Sequence, residues 1–215
     1  MRVLLTGFGP FPGAAVNPSA WLAEALPAHL SGLNAEIHTR ILATEWETVE
    51  ALTAHLHESL QPQVTIHFGL SQTAAGFRIE RSAYNRASAR ADAAGALPRS
   101  RAILAHGQLR LDTSLPAAAL SAHLRKSGIA AAPSRSAGRY LCNFLYYLSL
   151  DRAARQTGAP TVLFVHIPPF VCHGGTLSEA DLLAGAEAIL RFALAYANAG
   201  TEVPATHVAP HRSEL

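Results

Sequence analysis

Compact apolar runs that stop at a glycine or proline turn, separated by stretches with helical spacing, restrict the fold of this chain more than any other feature. Arg2–Thr6, Val64–Gly69 and Thr161–Ile167 are such runs and read as buried strands. Glu36–Leu42 reads as a further strand, and Phe77–Tyr84 as a strand on a hairpin or at an edge. Gln108–Leu111 and Ile129–Ala132 read as short strands. Between them lie helices. Asn17 is a side-chain N-cap with Pro18 at the first helical position, followed by Trp21, Leu22, Ala25 and Leu26 at helical spacing. Thr44-Glu45-Trp46-Glu47 has the spacing of a capping box for a helix reaching Leu60. Pro116–Ser127, Tyr140–Arg155 and Ser178–Asn198 are also helical, the last opened by Ser178 with Asp181 three residues on. Gly7–Gly13 and the Ala-, Gly- and Arg-rich segment Arg86–Ser100 read as loops. Strands alternating with helices predict an α/β layer structure with a mostly parallel sheet.

Composition narrows what such a fold can do. Of 215 residues, 49% are hydrophobic and 15% charged, a globular balance. Seventeen basic against 15 acidic residues leave a formal charge of +2 without a basic stripe, which argues against nucleic acid as a partner. No apolar stretch approaches the ~20 residues of a membrane span, so no membrane partner is expected. Two cysteines and a short N-terminal apolar run without a cleavage site point to a reducing, cytoplasmic setting. No repeat or linker divides residues 1–200, which read as a single domain. Residues 201–215 read as a flexible tail.

In open α/β sheets, sites form beyond the carboxyl ends of the strands. Three features fall there: the Gly7–Gly13 loop, the segment from Gly69 to Gly76, and His166 at the end of its strand. Cys142 lies in the first turns of a helix, where the positive dipole end favours thiolate. A buried cysteine packed as a small hydrophobe is the competing reading. His166, held before Ile167-Pro168-Pro169, is well placed for proton transfer. Glu80 lies between Arg78 and Arg81 and is either an exposed strand residue or a buried partner that orients a histidine. His67, inside an apolar strand, reads as a satisfied core histidine, and His55 and His57 point to different sides of a helix. Cys172 precedes His173 directly, and neighbouring side chains seldom aim at each other, so it reads as a loop cysteine. Pro10 and Pro12 remove backbone donors from Gly7–Gly13, which weakens a phosphate-binding reading. Phe8 and Phe11 in that loop suit a flat, weakly polar ligand, or else pack into the core.

Thr6-Gly7-Phe8-Gly9-Pro10-Phe11, Asn17-Pro18, Ile79-Glu80-Arg81 with Asn85, Ser136-Ala137-Gly138-Arg139-Tyr140-Leu141-Cys142-Asn143 and Phe164-Val165-His166-Ile167-Pro168 occur in this order. Together they resemble the pyrrolidone carboxyl peptidase family, also called pyroglutamyl peptidase type I. The resemblance implies a three-layer α/β/α sandwich of the phosphorylase/hydrolase-like type. It implies a catalytic Glu80–Cys142–His166 triad and a ring pocket from Phe8, Phe11, Tyr140 and Leu141. It places oxyanion stabilisation at Arg90 and the Cys142 backbone. It implies N-terminally pyroglutamylated peptides as partners, no metal or other cofactor, and a homotetramer. The chain departs from the family pattern at Pro12, Ser88, Arg135 and the shortened 91–95 loop, all at the pocket rim or the oxyanion side. A phosphate-binding module and an inactive, peptide-binding relative are the competing functions. The first predicts indifference to thiol alkylation, the second binding without turnover.

Overall fold

The computed structural model of the chain describes residues 1–201. In order, its elements are β1 (Arg2–Phe8), α1 (Pro18–His29), β2 (Glu36–Leu42), α2 (Trp46–Leu60), β3 (Val64–Leu70), β4 (Phe77–Glu80) and β5 (Ser82–Tyr84). They continue with β6 (Arg110–Asp112), α3 (Ala117–Lys126), β7 (Ala131–Ser134), α4 (Leu141–Arg155), β8 (Thr161–Ile167), a 3-10 turn at Val171–His173 and α5 (Glu179–Thr201). Six strands form one sheet in the order β2-β1-β3-β8-β4-β7. Neighbours run parallel except β4 and β8, which are antiparallel. Helices α1, α3 and α5 cover one face and α2 and α4 the other, giving the three-layer α/β/α sandwich.

Period-two alternation sorts side chains between the two faces. In β8, Leu163, Val165 and Ile167 join the α1/α3/α5 core, while Val162 and Phe164 join the α2/α4 core. His166 therefore faces α4. In β4, Phe77 and Ile79 face α5 and α3, so Glu80 shares the face of His166. Gly7 carries no Cβ for a steric reason: one would lie 2.1 Å from the Ser19 carbonyl oxygen of α1.

Two expectations need correction. Phe77–Tyr84 is not one edge or hairpin strand. It changes sheets at Arg81, where the Arg81 N–H donates to Ser134 O and its carbonyl accepts from Thr113 N–H. β4 is interior, between β8 and β7, and only β5 joins a two-stranded antiparallel ribbon with β6. The capping box at residues 44–47 also does not form. Glu45 occupies the N-cap, but its side chain accepts from the Thr48 hydroxyl and caps no backbone N–H, the Thr44 hydroxyl donates to Gly9 O, and the Trp46 N–H donates to Asp92 Oδ2 at 2.9 Å. A carboxylate distant in sequence takes the capping role. At α1 and α5 the local signals hold: Asn17 Oδ1 accepts from Ser19 N–H, and Ser178 and Asp181 cap each other reciprocally. Of the tail read as 201–215, Thr201 ends α5 and residues 202–215 lie outside the described residues. No helix among the described residues is long and apolar enough to cross a membrane.

Candidate active site

Cys142 is the second residue of α4. The chain reaches it through a turn at Gly138, whose φ is 84°, and an extended Tyr140 at the N-cap. The first-turn N–H groups of a helix have no intrahelical acceptors and carry its positive end. Cys142 therefore sits in a locally electropositive backbone, half-buried and unbridged. The next residue, Asn143, is fully buried. Its Oδ1 accepts from Tyr84 N–H at 2.8 Å, and its Nδ2 donates to Tyr84 O and Arg86 O. These bonds lock the α4 start to the segment that follows Glu80.

His166 and Glu80 meet across the antiparallel pair. Glu80 stands opposite Phe164 in the register, so His166 is its diagonal neighbour on the same face. His166 Nδ1 lies 2.8 Å from Glu80 Oε1, with the Glu80 side chain fully buried. A carboxylate accepts, so the proton of this bond is on Nδ1, and Nε2 is left for the Cys142 sulfur. Burial opposes charge on the imidazole, but the charge and hydrogen bond of Cys142, with those of Glu80, outweigh it and raise the His166 pKa to about 9. Tyr146 Oη donates to the Glu80 carbonyl at 2.9 Å and pins the end of β4. Gly69 is the register partner of His166 on the other side. A Cβ there would lie 2.7 Å from the Phe164 ring and 3.2 Å from Cys142 Sγ, so the missing side chain makes room for the thiol.

A pocket of about 340 Å³ opens over this cluster. Phe8, Phe11, Tyr140 and Leu141 line it together with Cys142, His166 and Arg90. Its lining is mainly apolar, with Asn17, Thr44 and Gln72 as uncharged polar groups. Phe8 and Leu141 are also core residues, whereas Phe11 sits in a small hairpin closed by paired backbone bonds to Ala14. The Arg90 guanidinium lies 4.9 Å from the centre of the Tyr140 ring. Seven of the eight sequence-identified site residues line this cavity, and the eighth, Glu80, is buried behind His166.

Sequence reasoning missed the residue that holds one wall of this cavity. Asp92 is buried and accepts from Trp46 N–H through Oδ2 and from Ala94 and Ala96 N–H through Oδ1. Around it, Trp46 Nε1 donates to Arg90 O, Tyr140 Oη donates to Ala91 O, and Ala93 N–H donates to Thr44 O. The shortened 91–95 loop is therefore a closed turn stapled to α2. An Asp three residues before a glycine was its only local signal. Of the departures from the family pattern, Pro12 lines the pocket, the Ser88 N–H bonds Arg139 O at 2.6 Å, and Arg135 is exposed outside the pocket lining. His67 is satisfied by Thr6 and Ser149 hydroxyls at 2.8 and 2.9 Å. Cys172 corrects an expectation: on the 3-10 turn its sulfur does reach His173 Nδ1, at 3.1 Å, and both are exposed.

A family model described as pyroglutamyl peptidase matches residues 1–175, a span that holds every residue of the cluster. The pyrrolidone-carboxylate peptidase of Pyrococcus furiosus is 32% identical over 169 residues, covering 78% of this chain and 81% of that protein. The pyroglutamyl-peptidase 1 of Rattus norvegicus is 32% identical over 170 residues, covering 78% of each. The solved pyrrolidone carboxyl peptidase of Thermococcus litoralis superposes with a TM-score of 0.86 at 26% identity, over 92% of this chain and 95% of that one. With the family match reaching from the first strand past His166, the chain belongs to the pyroglutamyl peptidase family.

Proposed function

We propose that this chain removes the N-terminal pyroglutamyl residue from peptides, with Cys142 as nucleophile, His166 as general acid and base, and Glu80 as the group that orients and charges His166. One observation carries the reading: a half-buried thiol at a helix start, next to an imidazole whose other nitrogen is bonded at 2.8 Å to a fully buried carboxylate. The Cys142 thiolate attacks the carbonyl carbon that joins pyroglutamate to the next residue. The resulting oxyanion is held by the Cys142 backbone N–H at the α4 start, with Arg90 at the pocket rim. One such donor is worth roughly 3 kcal/mol of barrier. The C–N bond then breaks as His166 gives its proton to the departing amine, leaving a thioester. Water, deprotonated by His166, adds to the thioester and releases pyroglutamate and the Cys142 thiolate.

The pocket suits this substrate. A pyroglutamyl terminus carries no ammonium, and no carboxylate lines the cavity to receive one. A lactam can lie flat against Phe8, Phe11, Tyr140 and Leu141. A free glutaminyl or glutamyl terminus would bring an unpaired charge into the same space, which is costly. In this reading residues 1–200 act as one peptidase domain in the cytoplasm, assembled as a homotetramer, and sedimentation of the purified chain tests the assembly. Release of a chromophore from a pyroglutamyl amide, with prolyl and alanyl amides as controls, tests the activity. Cleavage of the pyroglutamyl amide alone supports the reading. No cleavage by folded, reduced protein overturns it.

A further inference from the structure

A second crevice, of about 290 Å³, opens beside the pocket, and Gly13, Leu70 and Gln72 line both. The rest of its lining comes from two segments: Ala14, Ala15, Val16 and Pro18 at the approach to α1, and Pro169, Phe170 and His173 beyond β8. Leu70 pairs in register with Ile167, the residue after His166. The crevice therefore lies along the exit of β8, next to the strand end that carries His166. Its walls are held in place. Phe170 packs edge-on against Trp21 at 5.3 Å, bridges to Leu177, and its carbonyl accepts from His173 and Gly175 N–H.

The chemistry of this crevice differs from that of a general peptide surface. No Asp, Glu, Lys or Arg lines it. Val16 within it is 50% exposed and Val171 next to Phe170 is 57% exposed, two of the four large apolar side chains left open among the described residues.

We propose that this crevice receives the residue that follows pyroglutamate and selects an uncharged, apolar side chain there. The inference rests on the peptidase reading above. A Lys or Asp side chain at that position would lose water without meeting an Asp, Glu, Lys or Arg of opposite charge, whereas Leu or Phe would bury apolar surface against Val16 and Phe170.

The test compares pyroglutamyl methyl ester, whose leaving group is too small to fill the crevice, with pyroglutamyl-leucine, -lysine and -aspartate amides. In the wild type, kcat/KM for the leucine peptide is expected about fivefold or more above either charged peptide. Ala15→Trp fills the crevice and lowers the ratio of leucine peptide to methyl ester about tenfold. Val16→Lys, at a half-exposed position, shifts the ratio of aspartate to lysine peptide upward about fivefold. Should Ala15→Trp fail to fold, the charge preference of Val16→Lys decides alone. Equal cleavage of the three peptides by the wild type, with ratios unmoved by the variants, overturns the inference and leaves the peptidase reading standing. Failure of the folded wild type to hydrolyse the methyl ester overturns the peptidase reading, and this inference with it.

Discussion

The two faces of the sheet are built from different materials. The face under α1, α3 and α5 is packed by Leu, Ile, Val, Phe and Ala, among them Leu26, Phe68, Leu163 and Leu190. The face under α2 and α4 has an apolar core of its own, but it also carries the buried ionisable groups: His57, His67, Glu80 and His166, with Asp92 at the α2 start. Buried polar groups cost stability unless they are paired. One face therefore supplies cohesion, and the other spends part of its cohesion on chemistry. The same alternation along β4 and β8 serves both, because Ile79 and Val165 point one way while Glu80 and His166 point the other.

The variants that sharpen this contrast most act on the chemical face. Glu80→Gln keeps the shape but weakens the support of the His166 charge. It is expected to lower kcat on the order of 10³-fold. Activity that needs the imidazolium is lost as pH rises through about 9 in the wild type, and in Glu80→Gln this alkaline limb moves to lower pH. A pH profile of kcat/KM checks both. An unmoved limb would mean that Glu80 does not act through His166. The raised pKa also stabilises the fold below the usual histidine value near 6.5, a contribution lost as pH rises through about 9.

On the other face the expected signature is reversed. Leu190 is fully buried on α5, and Leu190→Ala should cost about 2–5 kcal/mol of stability in chemical denaturation. Its kcat at a temperature where it remains folded should stay within a few-fold of wild type. A collapse of kcat without loss of stability would break the division between the faces.

His57 gives a third, pH-dependent contrast. Burial, and then the charge of Arg152, lower its pKa to about 4, and neither ring nitrogen has a protein partner. As pH falls, the unfolded chain takes up this proton first. Stability is intact above about 6.5 and declines toward pH 4, by roughly 3 kcal/mol over that window. His57→Leu should flatten that decline in a series of urea melts, and an unchanged slope would place the acid lability elsewhere. The smallest expected effect is at Asp92. Asp92→Asn weakens the α2 cap by about 1 kcal/mol and loosens the wall that carries Arg90 and Tyr140. It should therefore raise KM more than it lowers kcat.

The contrast also explains what could be read from the sequence. Features with a local cause were legible: the buried strands, the Asn17 and Ser178 caps, the placement of His166 at a strand end and of Cys142 at a helix start. Features set by distant partners were not. Glu80 stayed ambiguous between exposed and buried because its environment depends on β4 pairing antiparallel to β8, which places it against a histidine 86 residues further along the chain. Thr44–Glu47 misled because a tertiary carboxylate, Asp92, replaced the local cap. The 86–100 segment lacked periodicity because side-chain bonds from Asp92 and Asn143, rather than a helix or strand, hold it. The motif segments that carry the family resemblance come together at one pocket although most of their contacts are distant in sequence.

The most direct test of the account is to trap the intermediate. Reduced wild-type protein is mixed with excess pyroglutamyl methyl ester, quenched in acid, digested and read by mass spectrometry, with Cys142→Ala alongside. The account predicts a pyroglutamyl thioester on the peptide containing Cys142 and neither adduct nor turnover in the variant. Turnover by Cys142→Ala, or an adduct confined to Cys172, would contradict it.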